Sequence, residues 1–298
     1  MNLALANAPA YSLGPLIHNS VAVEALEAQG VRVAQTVSDI PAGARAIIRS
    51  HGVSREVLNA LEARAETIDA TCPYVASIHR MVAEAAVEAG RSPEDVKLLA
   101  VSKTFPAEDV REVFQAGQAC FGENRVQELE EKSQLLPPEV EWHLIGHLQL
   151  NKVRAALETA SWIHSVDSLK LLKKIQETAA ELNVRPKLLL EVNISGEPSK
   201  FGFDPELLIE AVRRIPSDLQ APIVGLMTMA PMGMDKEILR LVFAGLRNLR
   251  RRIEDIRGEA IPELSMGMSS DYKIAIQEGA TIVRIGTAIF GHREQPVA

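Results

Sequence analysis

The chain has 298 residues, with 47% hydrophobic and 24% charged, which excludes a disordered chain and allows one large domain or two unequal ones. The net charge of −7 argues against a general polyanion binder. The densest basic run, Arg247 to Arg252, has acids beside it and no interleaved aromatics, so it reads as a solvated helix face.

In chain order, residues 1 to about 80 come first. "MNLALANA", "VRVAQ", "ARAIIRSHG" and "ETIDATCP" are short strand candidates, and "NSVAVEALEAQG" and "SREVLNALEARA" are helices between them. This is a small α/β unit, too brief to bury much core alone. The amphipathic run "VASIHRMVAEAAVEAG" follows and predicts a helix across the bottom of whatever comes next.

From residue 93 on, apolar strand-like runs alternate with helical ones. The strands are "VKLLAVSK", "ACFGEN", "EWHLIGH", "SWIHSVD", "KLLLEVNIS", "APIVGLMTMAP", "IPELSMGMS" and "TIVRIGTAIFG". Ser168, Asp204 and Ser270 stand where helix N-caps belong, and Gly117 and Gly279 just past helix ends. The strand runs are continuously apolar, as strands covered on both faces must be. Eight such units predict an α/β fold, a closed (β/α)8 TIM-type barrel of parallel strands. An open doubly wound sheet would need a glycine-rich fingerprint after its first strand, and "AVSKTFP" is not one.

Lys103 ends the first barrel strand, at the end where barrels gather their chemistry. On position alone a lysine that snorkels to solvent is the blander expectation. A desolvated amine, however, is a nucleophile that forms Schiff bases with carbonyls. Strand seven ends in "SMGMSSD", with Gly267 and the hydroxyls of Ser269 and Ser270. Strand eight ends in "VRIGTAIFG", where Gly286 permits close approach and Thr287 offers an amide and a hydroxyl to an anion. Arg284 lies two residues before Gly286, on the same side of that strand. An amine, a phosphate cradle and an arginine together fit pyridoxal phosphate.

The stretch from about 82 to 293 resembles the pyridoxal phosphate homeostasis proteins, single barrels similar to the N-terminal domain of alanine racemase. The resemblance rests on "AVSKTFP", "FGENRVQE", "HLIGHLQLNK", "VNISGEPSKFGF", "GLMTMAP" and "SMGMSSDYKIAIQEGATIVRIGTAIFG". It implies that Lys103 carries pyridoxal 5′-phosphate (PLP) as a Schiff base and that Asn124 lines the pocket. It also implies that Ser269, Gly286 and Thr287 hold the phosphate and Arg284 faces the pyridine nitrogen. An arginine there keeps that nitrogen neutral and weakens the ring as an electron sink. A further domain supplying the second base of a racemase is not expected after Ala298, and Tyr272 is expected on a helix surface. A carrier or regulator of PLP, with no established turnover, is therefore favoured over a racemase-like enzyme. PLP-dependent apoenzymes are the partners this role suggests, and a monomer is expected.

Lys200, in "SGEPSKFGF", reads as a solvated loop lysine before a lid residue or second amine. Gln149, Asn151 and Lys152 are rim contacts or simply a helix start. His143 and His147 share a strand face, but no third ligand accompanies them, so no metal is expected.

"GPLIHN", "RSHGVS" and "DATCPYV" resemble part of hydroxymethylbutenyl diphosphate reductase, an iron–sulfur enzyme of isoprenoid synthesis. That resemblance aligns His18 and His51 with diphosphate-binding histidines and Cys72 with one of three cluster cysteines. One thiolate cannot hold such a cluster, so reductase activity is not expected. The expected division is 1–80, a truncated reductase-like segment joined as a fusion, and 81–298, the PLP-binding barrel.

The only cysteines, Cys72 and Cys120, form no disulfide framework. No lysine or arginine precedes Arg32, so a signal peptide's basic region is lacking, and no apolar run reaches membrane length. A cytoplasmic protein is expected.

Overall fold

Short, largely buried runs account for most strands of the barrel, and shorter, more polar ones such as "ETID" for the four-stranded sheet. The computed structural model describes residues 10–13, 28, 30–48, 60–61, 63–69, 73–197, 200–231 and 233–291. The chain divides into two compact units, one of Met1–His79, Phe105–Gln118 and Thr287–Ala298, the other of Arg80–Thr104 and Ala119–Gly286.

The first unit holds a sheet of β1 (Ala10–Leu13), β2 (Val31–Ala34), β3 (Arg45–Ile48) and β4 (Glu66–Asp69), in the order β2-β1-β3-β4. Its strands are parallel, and Leu13, Ala34, Ile40, Ala46, Leu61 and Ala65 make a small core. β1 lies in "AYSL", which carries too few β-branched residues to read as a strand. The strand expected over residues 1–8 lies outside the described residues, as do most of the helices expected over 19–30 and 54–65.

The second unit holds the barrel. Its strands are β5 (Lys97–Val101), β6 (Cys120–Glu123), β7 (Glu141–Leu144), β8 (Trp162–Val166), β9 (Lys187–Glu191), β10 (Ile223–Met227), β11 (Glu263–Met268) and β12 (Ile282–Ile285). All pairs are parallel, and β12 closes the ring on β5. The sequence therefore led to the right fold class. Leu99 of β5 and Ile282 of β12 pack across the barrel interior with Trp162, Leu189 and Met227 of β8, β9 and β10, and side chains alternate in and out along each strand. That alternation places Arg284, two residues beyond Ile282, on the interior side.

Helix ends follow their capping chemistry. Ser168 accepts from the Leu171 amide, and Asp204 accepts from those of Glu206 and Leu207. Gly117 and Gly279 take the left-handed conformation after helix ends. Ser270 is not a cap: the helix Tyr272–Gln277 begins one residue later, with Asp271 at the N-cap position. The Asp271 carboxylate instead accepts from the Met268 amide at 2.5 Å, closing the turn after β11. The last strand is also shorter than expected. It stops at Ile285, and Thr287–Phe290 is helical. The helix Pro73–Glu88 forms as predicted, and Arg91 just past it donates to the carbonyls of Ile276 and Ala280, which precede β12.

Candidate functional site

Lys103 follows β5 within a turn and is half-buried. Leu99 faces the barrel core and Val101 shares its side of β5 by the two-residue period of a strand, with Lys103 in the turn just beyond. The backbone on both sides of Lys103 is fastened. The buried Lys132 ammonium donates to Ser102 O at 2.9 Å and to Glu123 Oε1 at 2.7 Å, and Ser102 Oγ donates to the same Glu123 oxygen at 2.7 Å. On the other side, the Thr104 amide donates to Glu128 Oε2 at 2.8 Å while Thr104 sits at φ +69°. Burial pushes the Glu123 carboxyl up against the pull of Lys132, and Glu123 Oε2 has no partner among the described residues. Lys132 and Glu128 stand four apart on one helix, a spacing visible in the sequence, but their partners come from other strands.

β12 lies beside β5, with Arg284 abreast of Leu99 and, on the other side, of Met268. Gly286 continues past the strand so close to β5 that an added Cβ would stand 3.1 Å from Val101 O and 3.3 Å from Val101 Cβ. Gly267, at φ +93°, is tighter still, since a Cβ there would lie 2.5 Å from that of Ala275. Ser269 is exposed just beyond β11, and Asn124 is half-buried just beyond β6. Lys103, Asn124, Ser269, Arg284 and Gly286 thus occupy the carboxyl-terminal half of four consecutive strands, β11-β12-β5-β6, or the residues just past them. Thr287 follows Gly286 directly and opens the short helix assigned to the other unit.

Arg284 is buried and donates to Ser265 Oγ at 2.7 Å and Thr228 O at 2.9 Å. Burial pulls its guanidinium down to about 10, opposed by Asp271 and Glu191. Glu191 ends β9 and is itself buried. Burial raises its carboxyl to about 7, Asp167 adds to the rise and Arg284 opposes it. The mouth therefore holds a carboxyl that changes charge near neutral pH. It follows three buried leucines in the strand "KLLLE", which was the signal for it in the sequence.

Residues 76–294 match the family model described as alanine racemase, N-terminal domain. The pyridoxal phosphate homeostasis protein of Aquifex aeolicus (strain VF5) is 41% identical over 224 residues, covering 75% of this chain and 98% of that protein. The chain belongs to the pyridoxal phosphate homeostasis protein family. PipY of Synechococcus elongatus PCC7942, solved with PLP bound, is 43% identical, with a TM-score of 0.64 over 70% of this chain and 100% of that one. An alanine racemase of Clostridium difficile 630 shares the fold at 15% identity, with a TM-score of 0.58 over 73% of this chain and 57% of its own. Residues 2–92 match a second family model, LytB protein, so the two matches overlap on the helix Pro73–Glu88.

Several residues stand differently from their sequence-based expectation. Lys200 is not a solvated loop lysine: its ammonium lies 3.2 Å from Met229 O and 3.3 Å from Glu197. Tyr272 is not on a helix surface, because its helix packs on β11. The ring is buried, and Oη has no partner among the described residues. Gln149 and Lys152 join Asn124, Arg125, Glu128 and His147 around a cleft of about 530 Å³. His143 and His147 part company. His147 stacks on Phe201 and pairs with Asp167 at 2.9 Å, while His143 is buried beside Glu141 and Cys120. A third group near His143 therefore exists, unlike the expectation. Cys120 Sγ, Glu141 and His143 lie within 4.8 Å of one another, with the Lys97 ammonium 3.4 Å from the same Glu141 oxygen. His18, His51 and Cys72 lie outside the described residues.

No helix among the described residues is long and apolar enough to cross a membrane.

Proposed function

We propose that this chain binds pyridoxal 5′-phosphate covalently through Lys103 and serves PLP homeostasis, holding the cofactor rather than turning over a substrate. The observation that carries this is the adjacency of β5 and β12, with Lys103 and Gly286 past the same ends and Arg284 fixed below them. The residues fit the group. Gly267 and Gly286 let the backbone at the two strand ends pack where a side chain would clash with Ala275 and Val101, and buried Arg284 places two of its five N–H donors on protein acceptors among the described residues. PLP supplies an electrophilic carbonyl. Lys103 provides the amine, held by a turn fastened at Ser102 and Thr104. Ser269, Gly286 and Thr287 would hold the phosphate by hydroxyls and amides, and Asn124 would line the pocket. Arg284, a donor without an acceptor, would keep the pyridine nitrogen unprotonated.

PLP-dependent apoenzymes as recipients, a monomer and a cytoplasmic location belong to the same proposal, as does a boundary near residue 80 between the LytB-like segment and the barrel. Racemase-like turnover is the competing function, and amino-acid Cα–H exchange in D2O with PLP-loaded protein distinguishes the two. The test of the proposal is intact mass and peptide mapping after borohydride reduction with PLP. One pyridoxyl adduct on Lys103, absent in Lys103→Ala, is expected. An adduct elsewhere, or none, overturns it.

A further inference from the structure

A line of hydrogen bonds crosses the barrel interior from Arg284 to the opposite end. Arg284 Nη1 donates to Ser265 Oγ at 2.7 Å. Ser265 Oγ meets His164 Nδ1 at 2.9 Å, His164 Nε2 meets His143 Nδ1 at 2.9 Å, and His143 Nε2 meets Glu141 Oε1 at 2.8 Å. Ser265, His164 and His143 are fully buried. Ser265 is on β11 and His164 on β8, strands with β9 and β10 between them, so this link spans the lumen rather than running along the wall. Barrel interiors are usually filled by branched aliphatic side chains. A polar line in that setting is destabilising unless every member is satisfied.

The two ends leave one arrangement of protons. Arg284 can only donate, and an ionised Glu141 can only accept. Each neutral imidazole donates once and accepts once. Ser265 therefore gives its hydrogen to His164 Nδ1, His164 gives its Nε2–H to His143, and His143 gives its Nε2–H to Glu141. The reverse direction would set a lone pair of His143 against the carboxylate and take from the Ser265 O–H its acceptor on His164. Burial favours neutral forms of both histidines, and Glu141 is held down to about 2, chiefly by its bond from His143. His143 is also faced by Lys97 of β5, Lys187 of β9, His164 of β8 and Cys120 of β6. The lysines oppose a second proton there, and Glu141 alone favours it. Asp271 and Glu191 face Arg284.

We propose that Ser265, His164, His143 and Glu141 form a one-way relay that fixes the proton arrangement and orientation of Arg284, making them positioning residues for a ligand ring nitrogen held at that guanidinium. This deepens the PLP assignment above and rests on it. A second proton on His143 would turn the line around, so that Arg284 and His164 both donate to Ser265, and the guanidinium would lose its fixed geometry.

The test uses the full chain with 15N-labelled histidine. Without PLP at pH 7, NMR is expected to show His143 and His164 both as neutral Nε2–H tautomers, and Glu141→Gln is expected to abolish that single pattern. A cationic or Nδ1–H form of either histidine in the wild type overturns the relay. With PLP added, the pH midpoint of the visible absorbance change is expected to move by about one unit in Ser265→Ala and in the same direction in Glu141→Gln. Unchanged midpoints in both variants, with thermal unfolding showing them folded, overturn the positioning role. A wild type that shows the expected tautomers but yields no borohydride adduct at Lys103 instead overturns the PLP assignment and, with it, the role at the ring, while leaving the relay itself in place.

Discussion

The Lys132 ammonium lies 2.7 Å from Glu123 Oε1 inside the barrel wall, both side chains almost wholly shielded from water, and the same ammonium holds the carbonyl that precedes Lys103. A charge pair so deep is stable only while both members are present, because either one alone is a buried charge without compensation. Lys132→Met should therefore lower unfolding free energy by about 3–5 kcal/mol, and the double change Glu123→Leu with Lys132→Met should recover most of it. Urea unfolding of the three proteins measures this. The double variant should still bind PLP more weakly than the wild type, since the Lys103 turn has lost its fastening.

Thr104 is β-branched and left-handed, a combination that costs of order 1–2 kcal/mol. It persists because Glu128 holds its amide next to Lys103. Thr104→Gly should leave stability equal or up to about 1 kcal/mol higher, yet weaken PLP binding by loosening the turn. Opposite signs in thermal unfolding and PLP titration are the expected outcome.

Glu191 gives a pH dependence of definite sign. Its folded-state value is raised from 4.5 to about 7, so the buried neutral form is tolerated at low pH and the charge becomes a cost as pH rises between those values. Glu191→Gln should match the wild type near pH 4 and exceed it at pH 8, by up to roughly 3 kcal/mol. Denaturant unfolding at the two pH values checks this.

Glu141 acts in the opposite direction. Its folded-state value is depressed from 4.5 to about 2, so its contribution is present above 4.5 and lost as pH falls toward 2. His143 and His164, both lowered, add an earlier loss below 6.5, where the unfolded imidazoles take protons that the folded ones refuse. Acid unfolding followed by circular dichroism should show both phases, and Glu141→Gln should flatten the lower one.

The order of the barrel strands and the place of Lys103, Arg284 and Gly286 at their ends were legible in the chain because they depend on local period and strand length. A run such as "KLLAV" bounded by Pro106 can be little else than a buried strand. The helix Thr287–Phe290 and the cap at Asp271 were not, because apolar residues after Gly286 suit a strand and a short helix equally, and because Ser270 and Asp271 are both good caps. Strand β1 was hidden for a related reason, as "AYSL" gains its extended form from β2 and β3 on either side rather than from its own propensity.

By itself, the order of residues determined the fold class, which rests on residue type at short spacing, and the family, through motifs that run along the barrel in order. Only closure of the ring decided what stands behind them: the Lys132–Glu123 pair under Lys103, the near-neutral carboxyl of Glu191, and the line from Arg284 to Glu141. Those relationships join residues from 9 to over 100 positions apart, and they take their strength from burial, which alternation along a strand announces but cannot pair across a lumen.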